Sequence, residues 1–236
     1  LFRKASFTHL LSTLCDEVYT KTPTINNEPL NKSILTGAAR KSRGILIDAI
    51  FNSNEPTLGI DGGQELSFKR SALCVTNILN EDSPTKYFDT ESNNISAEFR
   101  NLFKEINKFI EVAKEKPISF ESLINRLTGT STHIGIRAGI IPIYVAVVLS
   151  KISNNVVIKD STSEVKLNAE TICAAIENPS EYFLTVVSWS KDKEIYIQKL
   201  EDKFKDHLIE SEKQYVGYNY LLNAIVDWVR ELPAGY

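Results

Sequence analysis

Apolar side chains recur at helical spacing along most of the chain. The clearest stretch runs from Ile95 to Lys114, where one face carries Phe99, Leu102, Phe103, Ile106, Phe109, Ile110 and Ala113. Residues 5–19 show the same spacing in Phe7, Leu10, Leu11, Leu14 and Val18. Further helices are predicted at 38–51, 67–79, 168–178, 192–209 and 214–232. The pattern therefore predicts a mainly α-helical protein.

The most apolar run of the chain lies between Arg137 and Lys151. Only 13 residues separate these two charges, whereas a helix that crosses a bilayer needs about 20, so we expect no membrane crossing. From Ile140 to Leu149 apolar side chains would point in every direction around a helix, and Tyr144 carries the one polar side-chain group of this stretch. Such a helix is normally buried from several sides. We therefore predict an internal strut surrounded by other helices.

The elements around this run follow a recognisable order. A short helix is predicted at 119–127, with Ser119 as its N-cap and Gly129 as its stop, and the apolar helix follows at 137–151. Two β-branched stretches at 155–160 and 164–167 then flank a polar turn, which predicts a hairpin. Helix, turn, helix and hairpin is the order of elements in a winged helix, a variant of the helix-turn-helix.

These patterns predict a mainly α fold: a helical bundle with a winged-helix-like subdomain and small β elements. We divide the chain into a helical region at 1–116 and a winged-helix-like region with C-terminal helices at 117–236. A strand-like run at 182–190 belongs to the second region.

The predicted winged element lacks the side chains that read DNA bases. A recognition helix offers Arg, Lys, Asn or Gln to base edges, whereas the apolar run offers none. The chain has 27 basic and 30 acidic residues, so no general positive field attracts nucleic acid. Two interpretations of the basic residues remain: they make weak contacts with phosphates, or they are simply solvated. The candidates for such contacts are Arg40, Lys41, Arg43, Arg137, Lys159 and Lys166.

No pattern indicates catalysis, a metal or a cofactor. The three histidines stand apart, and the glycine-rich stretch at 59–63 lacks the Lys-Ser/Thr ending of a phosphate loop. Cys15, Cys74 and Cys173 are widely spaced, as is typical of reduced thiols in a cytoplasmic protein. We expect no cofactor and a cytoplasmic location.

Two stretches resemble a known family. Residues 14–50 contain a turn with Pro23, Asn26, Asn27, Glu28 and Asn31, and residues 135–150 begin with Gly135, Arg137 and Gly139 before the apolar helix. Both resemble the region that follows the nucleotide-binding core in large bacterial P-loop ATPases of the BREX-type phage-exclusion group and their relatives. In that family the second stretch opens an apolar helix of a winged-helix-like subdomain.

The resemblance implies an accessory region that would not hydrolyse ATP by itself. The phosphate-binding lysine loop and the acidic metal-binding strand of such ATPases have no counterpart in these residues, and we expect the chain to be part of a longer protein. Its partner would be the remainder of the ATPase chain or another protein. We therefore predict a non-catalytic regulatory or interaction module. The alternatives are a DNA-binding winged-helix protein and an enzyme of unrecognised type.

Overall fold

The computed structural model describes residues 4–32, 34–187, 191–209 and 218–231. Over these residues the protein is mainly helical with a small antiparallel sheet, which confirms the prediction of a mainly α fold with small β elements. The helices are α1 (Lys4–Val18), α2 (Gly37–Asn52), α3 (Gly63–Lys69), α4 (Ala97–Glu115), α5 (Phe120–Thr128), α6 (Ile141–Ser150), α7 (Ala169–Glu177), α8 (Lys191–Lys203) and α9 (Asn219–Glu231). The strands are β1 (Ile118–Ser119), β2 (Val156–Lys159), β3 (Glu164–Val165) and β4 (Phe183–Val186).

The sheet joins segments that lie far apart in the sequence. Its strand order is β1-β4-β2-β3, and each neighbouring pair is antiparallel. The predicted hairpin forms between β2 and β3, and the Asp160 carboxylate accepts hydrogen bonds from the main-chain N–H groups of Thr162 and Ser163 in its turn. Strand β4 pairs with both β1 and β2 through the buried Leu184. The strand-like run was predicted to reach residue 190, but residues 188–190 lie outside the described part.

Helix α6 forms the centre of the core. Every residue from Ile141 to Leu149 is buried, and α6 packs against α2, α4 and α7. The Tyr144 hydroxyl donates a hydrogen bond to the Ala72 carbonyl (3.1 Å), and its ring meets those of Phe99 and Phe103 edge-on. The predicted internal strut is confirmed.

Several predicted helix boundaries differ from the structure. The helix predicted at 192–209 ends at Lys203, and a short 3-10 turn over Lys205–His207 follows it. Helix α6 begins at Ile141 rather than 137, next to Pro142, whose missing N–H is tolerated in a first turn. The helix predicted at 67–79 begins earlier, at Gly63, and continues as a π-helical turn over Arg70–Cys74 before it stops. The chain leaves the helix because Asn77 adopts a left-handed conformation with φ of 60°. Of the helix predicted at 214–232, residues 214–217 and 232 lie outside the described part.

The hydrophobic core draws on residues from both sides of position 116. Its buried cluster runs from Ile25 to Val186, and α4 contributes its apolar face to it as predicted. The division of the chain at residue 116 stays a prediction. In the described part of the chain, no helix combines the length and the apolar character needed to span a membrane.

Helix α1 differs from α4 because its apolar face is not covered. Phe7 is 54% exposed, Leu10 is 50% exposed, and Leu11 and Leu14 are each 46% exposed. In α9, Leu222 and Val229 are exposed in the same way. Amphipathic spacing predicted α1 correctly, but it could not indicate whether another element of the chain packs on it.

Candidate functional site

The predicted basic cluster on α2 lies at a cavity of about 490 Å³ between α2 and α7. Arg40 and Lys41 are exposed at this cavity, whereas Arg43 is buried. The carboxylates that also line it are Asp48, Glu170 and Glu177. Three acidic side chains therefore balance the three basic ones, and the cavity has no strong positive potential.

Arg43 joins three parts of the fold. Its Nη1 donates a hydrogen bond to the Gly139 carbonyl (2.9 Å), and its Nη2 lies 3.5 Å from Oε1 of Glu177. Its Nε is buried, and the described residues provide no hydrogen-bond partner for it. The guanidinium therefore holds α2 to the turn before α6 and to α7, and it has little access to an external phosphate.

The other three predicted basic candidates lie elsewhere. Arg137 is exposed just before α6, and Lys166 is exposed just after β3. Lys159 pairs with Glu164 across the hairpin, at 3.2 Å between Nζ and Oε1. The structure thus brings Arg40, Lys41 and Arg43 to one cavity, while the other three candidates are not among its lining residues.

We expect any DNA affinity to be weak, salt-sensitive and independent of sequence. With at most about five phosphate contacts, the slope of log K against log salt should not exceed roughly −4.5 in magnitude. Replacing Arg40 and Lys41 by glutamine should lower the affinity equally for unrelated duplexes. Fluorescence anisotropy on several duplexes at two salt concentrations measures both effects. Nanomolar binding to one duplex at physiological salt would contradict this expectation.

A second basic surface, which was not among the predicted sites, lies along α4. Arg100, Lys104 and Lys108 line a cavity of about 670 Å³ together with Arg126 of α5. The three α4 residues follow one another at intervals of four, which places them on one face of a helix. That spacing is visible in the sequence, but the contribution of Arg126 depends on the packing of α5 against α4.

A buried carboxylate fixes part of this surface. The side chain of Glu105 is 11% exposed and accepts hydrogen bonds from Nζ of Lys108 (2.6 Å) and from Nε of Arg126 (2.8 Å). Burial by itself would raise the pKa of Glu105, but the bonds from the two cations outweigh burial and lower it below its usual value. Glu105 is therefore ionised at neutral pH, and it holds Lys108 and Arg126 in defined positions.

The partly buried thiols are not activated as nucleophiles. Burial, together with the neighbouring Glu81 carboxylate, raises the pKa of Cys74 to about 11, and the Cys74 thiol donates a hydrogen bond to that carboxylate. Burial also raises the pKa of Cys173. Because the thiolate is the reactive form of cysteine, neither residue is suited to nucleophilic catalysis at neutral pH.

Neither metal-binding groups in the described residues nor comparisons with known proteins identify a further functional site. Within the described ranges, no group of three or more His, Cys, Asp or Glu side chains is placed to hold a metal ion. No protein-family model matches the chain, and neither a curated protein nor a solved structure matches it significantly.

Proposed function

We propose that this chain is a non-catalytic interaction module of a larger P-loop ATPase, of the BREX-type phage-exclusion group or its relatives. The exposed apolar face of α1 is the observation that carries the proposal, and the resemblance of residues 14–50 and 135–150 supplies the context. A soluble helix rarely leaves such a stripe uncovered unless another protein surface packs on it. The occupant we assign to α1 is an apolar groove on the rest of the ATPase chain.

The geometry of α1 suits a helix that lies in a groove. Phe7, Leu11, Leu14 and Val18 follow the intervals of four and three residues that anchor such helices. At its C-terminal end α1 is joined to the body, because the His133 Nδ1 lies 2.7 Å from the Val18 carbonyl, within hydrogen-bonding distance. Gly135 has a left-handed φ of 58°, and a Cβ there would come within 2.3 Å of the Tyr19 ring. The body thus holds the end of α1 and leaves its apolar face free.

We also propose that the segment from β1 to β4, which follows the predicted division at residue 116, contains a winged-helix-like subdomain. The order β1, α5, α6, β2 supports this assignment, as does the pairing of β4 with both β1 and β2. In this subdomain β3 and α7 are inserted between β2 and β4. Helix α6 would occupy the position of a recognition helix, but all nine residues from Ile141 to Leu149 are buried. This burial favours the interaction module over a protein that reads DNA bases.

Charge on the exposed face of α1 is expected to abolish association without unfolding the chain. The test is to express this chain together with the P-loop part of its own reading frame and to measure the complex by size-exclusion chromatography with light scattering. In the double variant Leu11→Glu, Leu14→Glu we expect the complex to be lost, because two anchors would bury unpaired charges. The thermal transition of the isolated chain should change little, since both side chains are about half exposed.

Ile34→Glu is the matched control, because Ile34 is 74% exposed and lies outside α1. It should leave the complex intact. A complex that survives the double variant would refute the assigned role of α1. A reading frame without a phosphate loop would refute the ATPase context, as would micromolar binding of magnesium-ATP to the isolated chain in calorimetry.

A further inference from the structure

Two neighbouring cavities follow the outer face of α4, and they differ in chemistry. The first is the basic cavity of about 670 Å³ lined by Arg100, Lys104, Lys108 and Arg126. The second, of about 360 Å³, is lined by Ile110, Val148, Ile152, Val186 and Val187. Asn107 and Glu111 line both cavities, so the two adjoin along the helix. We call the pair the α4 groove.

Positive charge accumulates at the α4 groove although the chain as a whole is acidic. The residues that line its two cavities include six basic side chains and two acidic ones, in a chain with 27 basic and 30 acidic residues. The six are Arg100, Lys104, Lys108, Lys114, Arg126 and Lys151. The two acidic residues are Glu91 and Glu111. Such a local excess attracts a negatively charged partner even when the net charge of the chain does not.

Part of this charge is not neutralised by carboxylates. Arg100 donates its hydrogen bonds to the main-chain carbonyls of Ser92 and Ile95, so its guanidinium is positioned but keeps its charge. Lys104 is exposed, and no ion pair is found for it among the described residues. Glu105 lies beneath Lys108 and Arg126 and holds them in place. The groove therefore offers preformed cations that need little reordering when a partner binds.

The chemistry of the groove fits an acidic peptide better than a nucleic acid. Single-stranded nucleic acids bind through a basic track combined with aromatic side chains on which bases stack. None of the described residues that line the two cavities is aromatic. The aliphatic cavity instead fits a single apolar side chain of a peptide.

We propose that the α4 groove docks an acidic peptide segment of a protein partner. One aliphatic side chain of that segment occupies the cavity lined by Ile110, Val148 and Ile152, and flanking carboxylates pair with Arg100 and Lys104. None of the described residues of α1 lines either cavity of the groove, so we treat this surface as independent of the association proposed above. It gives the chain a second site, selective for charge.

The probe is a short fluorescein-labelled peptide in which glutamates flank a single leucine, and binding is measured by anisotropy at low salt. Lys104→Glu should weaken binding about tenfold, because a favourable charge contact with the peptide becomes repulsive. Lys41→Glu on α2 is the control for general surface charge and should leave the affinity unchanged. Leu11→Glu on α1 should also leave it unchanged, which separates this site from the proposed ATPase contact.

Three outcomes would overturn the proposal as a whole, and a fourth would refute its aliphatic contact. The first is an equal loss of affinity in Lys41→Glu, and the second is the absence of binding by the glutamate peptide. The third is tighter binding of a single-stranded oligothymidylate than of the peptide, which would make the groove a nucleic-acid surface. A peptide with serine in place of leucine should bind more weakly, and equal binding would refute the role of the aliphatic cavity. Thermal melts of each variant check that the fold is retained.

Discussion

Replacement of Val145 by aspartate is expected to unfold the protein rather than to weaken the binding of a partner. Val145 is 1% exposed and lies in the middle of α6, which packs against α2, α4 and α7. Burial of an unpaired carboxylate costs several kcal/mol, which is comparable with the whole stability of about 5–15 kcal/mol of a typical domain. The variant should therefore lose its cooperative thermal transition, as followed by circular dichroism.

Val75→Asp provides the matched control. Val75 is 76% exposed, so the same chemical change there should alter stability by less than about 0.5 kcal/mol. An unchanged transition in the Val145 variant would mean that α6 faces solvent, and the strut assignment would then be wrong. Denaturation by urea gives an independent measure of the same difference.

Replacement of Lys69 by methionine is expected to have the second largest effect. Lys69 is 1% exposed, and its Nζ donates hydrogen bonds to the carbonyls of Thr57 (2.8 Å) and Ile60 (2.6 Å). The same ammonium lies 2.7 Å from Oε1 of Glu81. Methionine fills a similar volume but leaves all three acceptors without their donor. We expect a loss of about 3 kcal/mol in the free energy of unfolding, measured by urea denaturation at neutral pH.

The Lys69–Glu81 pair also predicts how this loss depends on pH. The hydrogen bond from Lys69 lowers the pKa of Glu81 below its usual value of 4.5. A lowered folded-state pKa contributes stability that is fully present above the unfolded-state value and is lost as the pH falls through the folded-state value. The difference between wild type and the Lys69→Met variant should therefore shrink below about pH 4.5.

Lys114→Met is the control for loss of an ion pair at the surface. Lys114 pairs with Glu111 at 2.6 Å, but the two side chains are 48% and 66% exposed. Exposed pairs of this kind contribute under about 1 kcal/mol, so the variant should be nearly as stable as wild type. If Lys69→Met costs no more than this control, the buried ammonium is not needed to hold the segments around Thr57 and Glu81 together.

The helices and the hairpin that define the class of this fold could be predicted from local sequence pattern alone. The spacing of Phe99, Leu102 and Ile106 predicted α4, and an uninterrupted apolar run predicted the burial of α6. The hairpin of β2 and β3 also followed from local residue types, because its strands are joined by a short polar turn. These features depend on residues close together in the chain, and periodicity reports such relations directly.

Only the tertiary structure decided which side chains are available to a partner. The basic cluster at 40–43 looked uniform in the sequence, yet packing against α7 buried Arg43 and left Arg40 and Lys41 exposed. The apolar faces of α1 and α4 have similar spacing, but other elements cover α4 and leave α1 open. The α4 groove needs Arg126 from a second helix, and β4 reaches β1 from across the chain. Contacts between distant segments set each of these outcomes. Burial depends on the assembled fold, so the spacing of residues along one helix cannot show which of its side chains are buried.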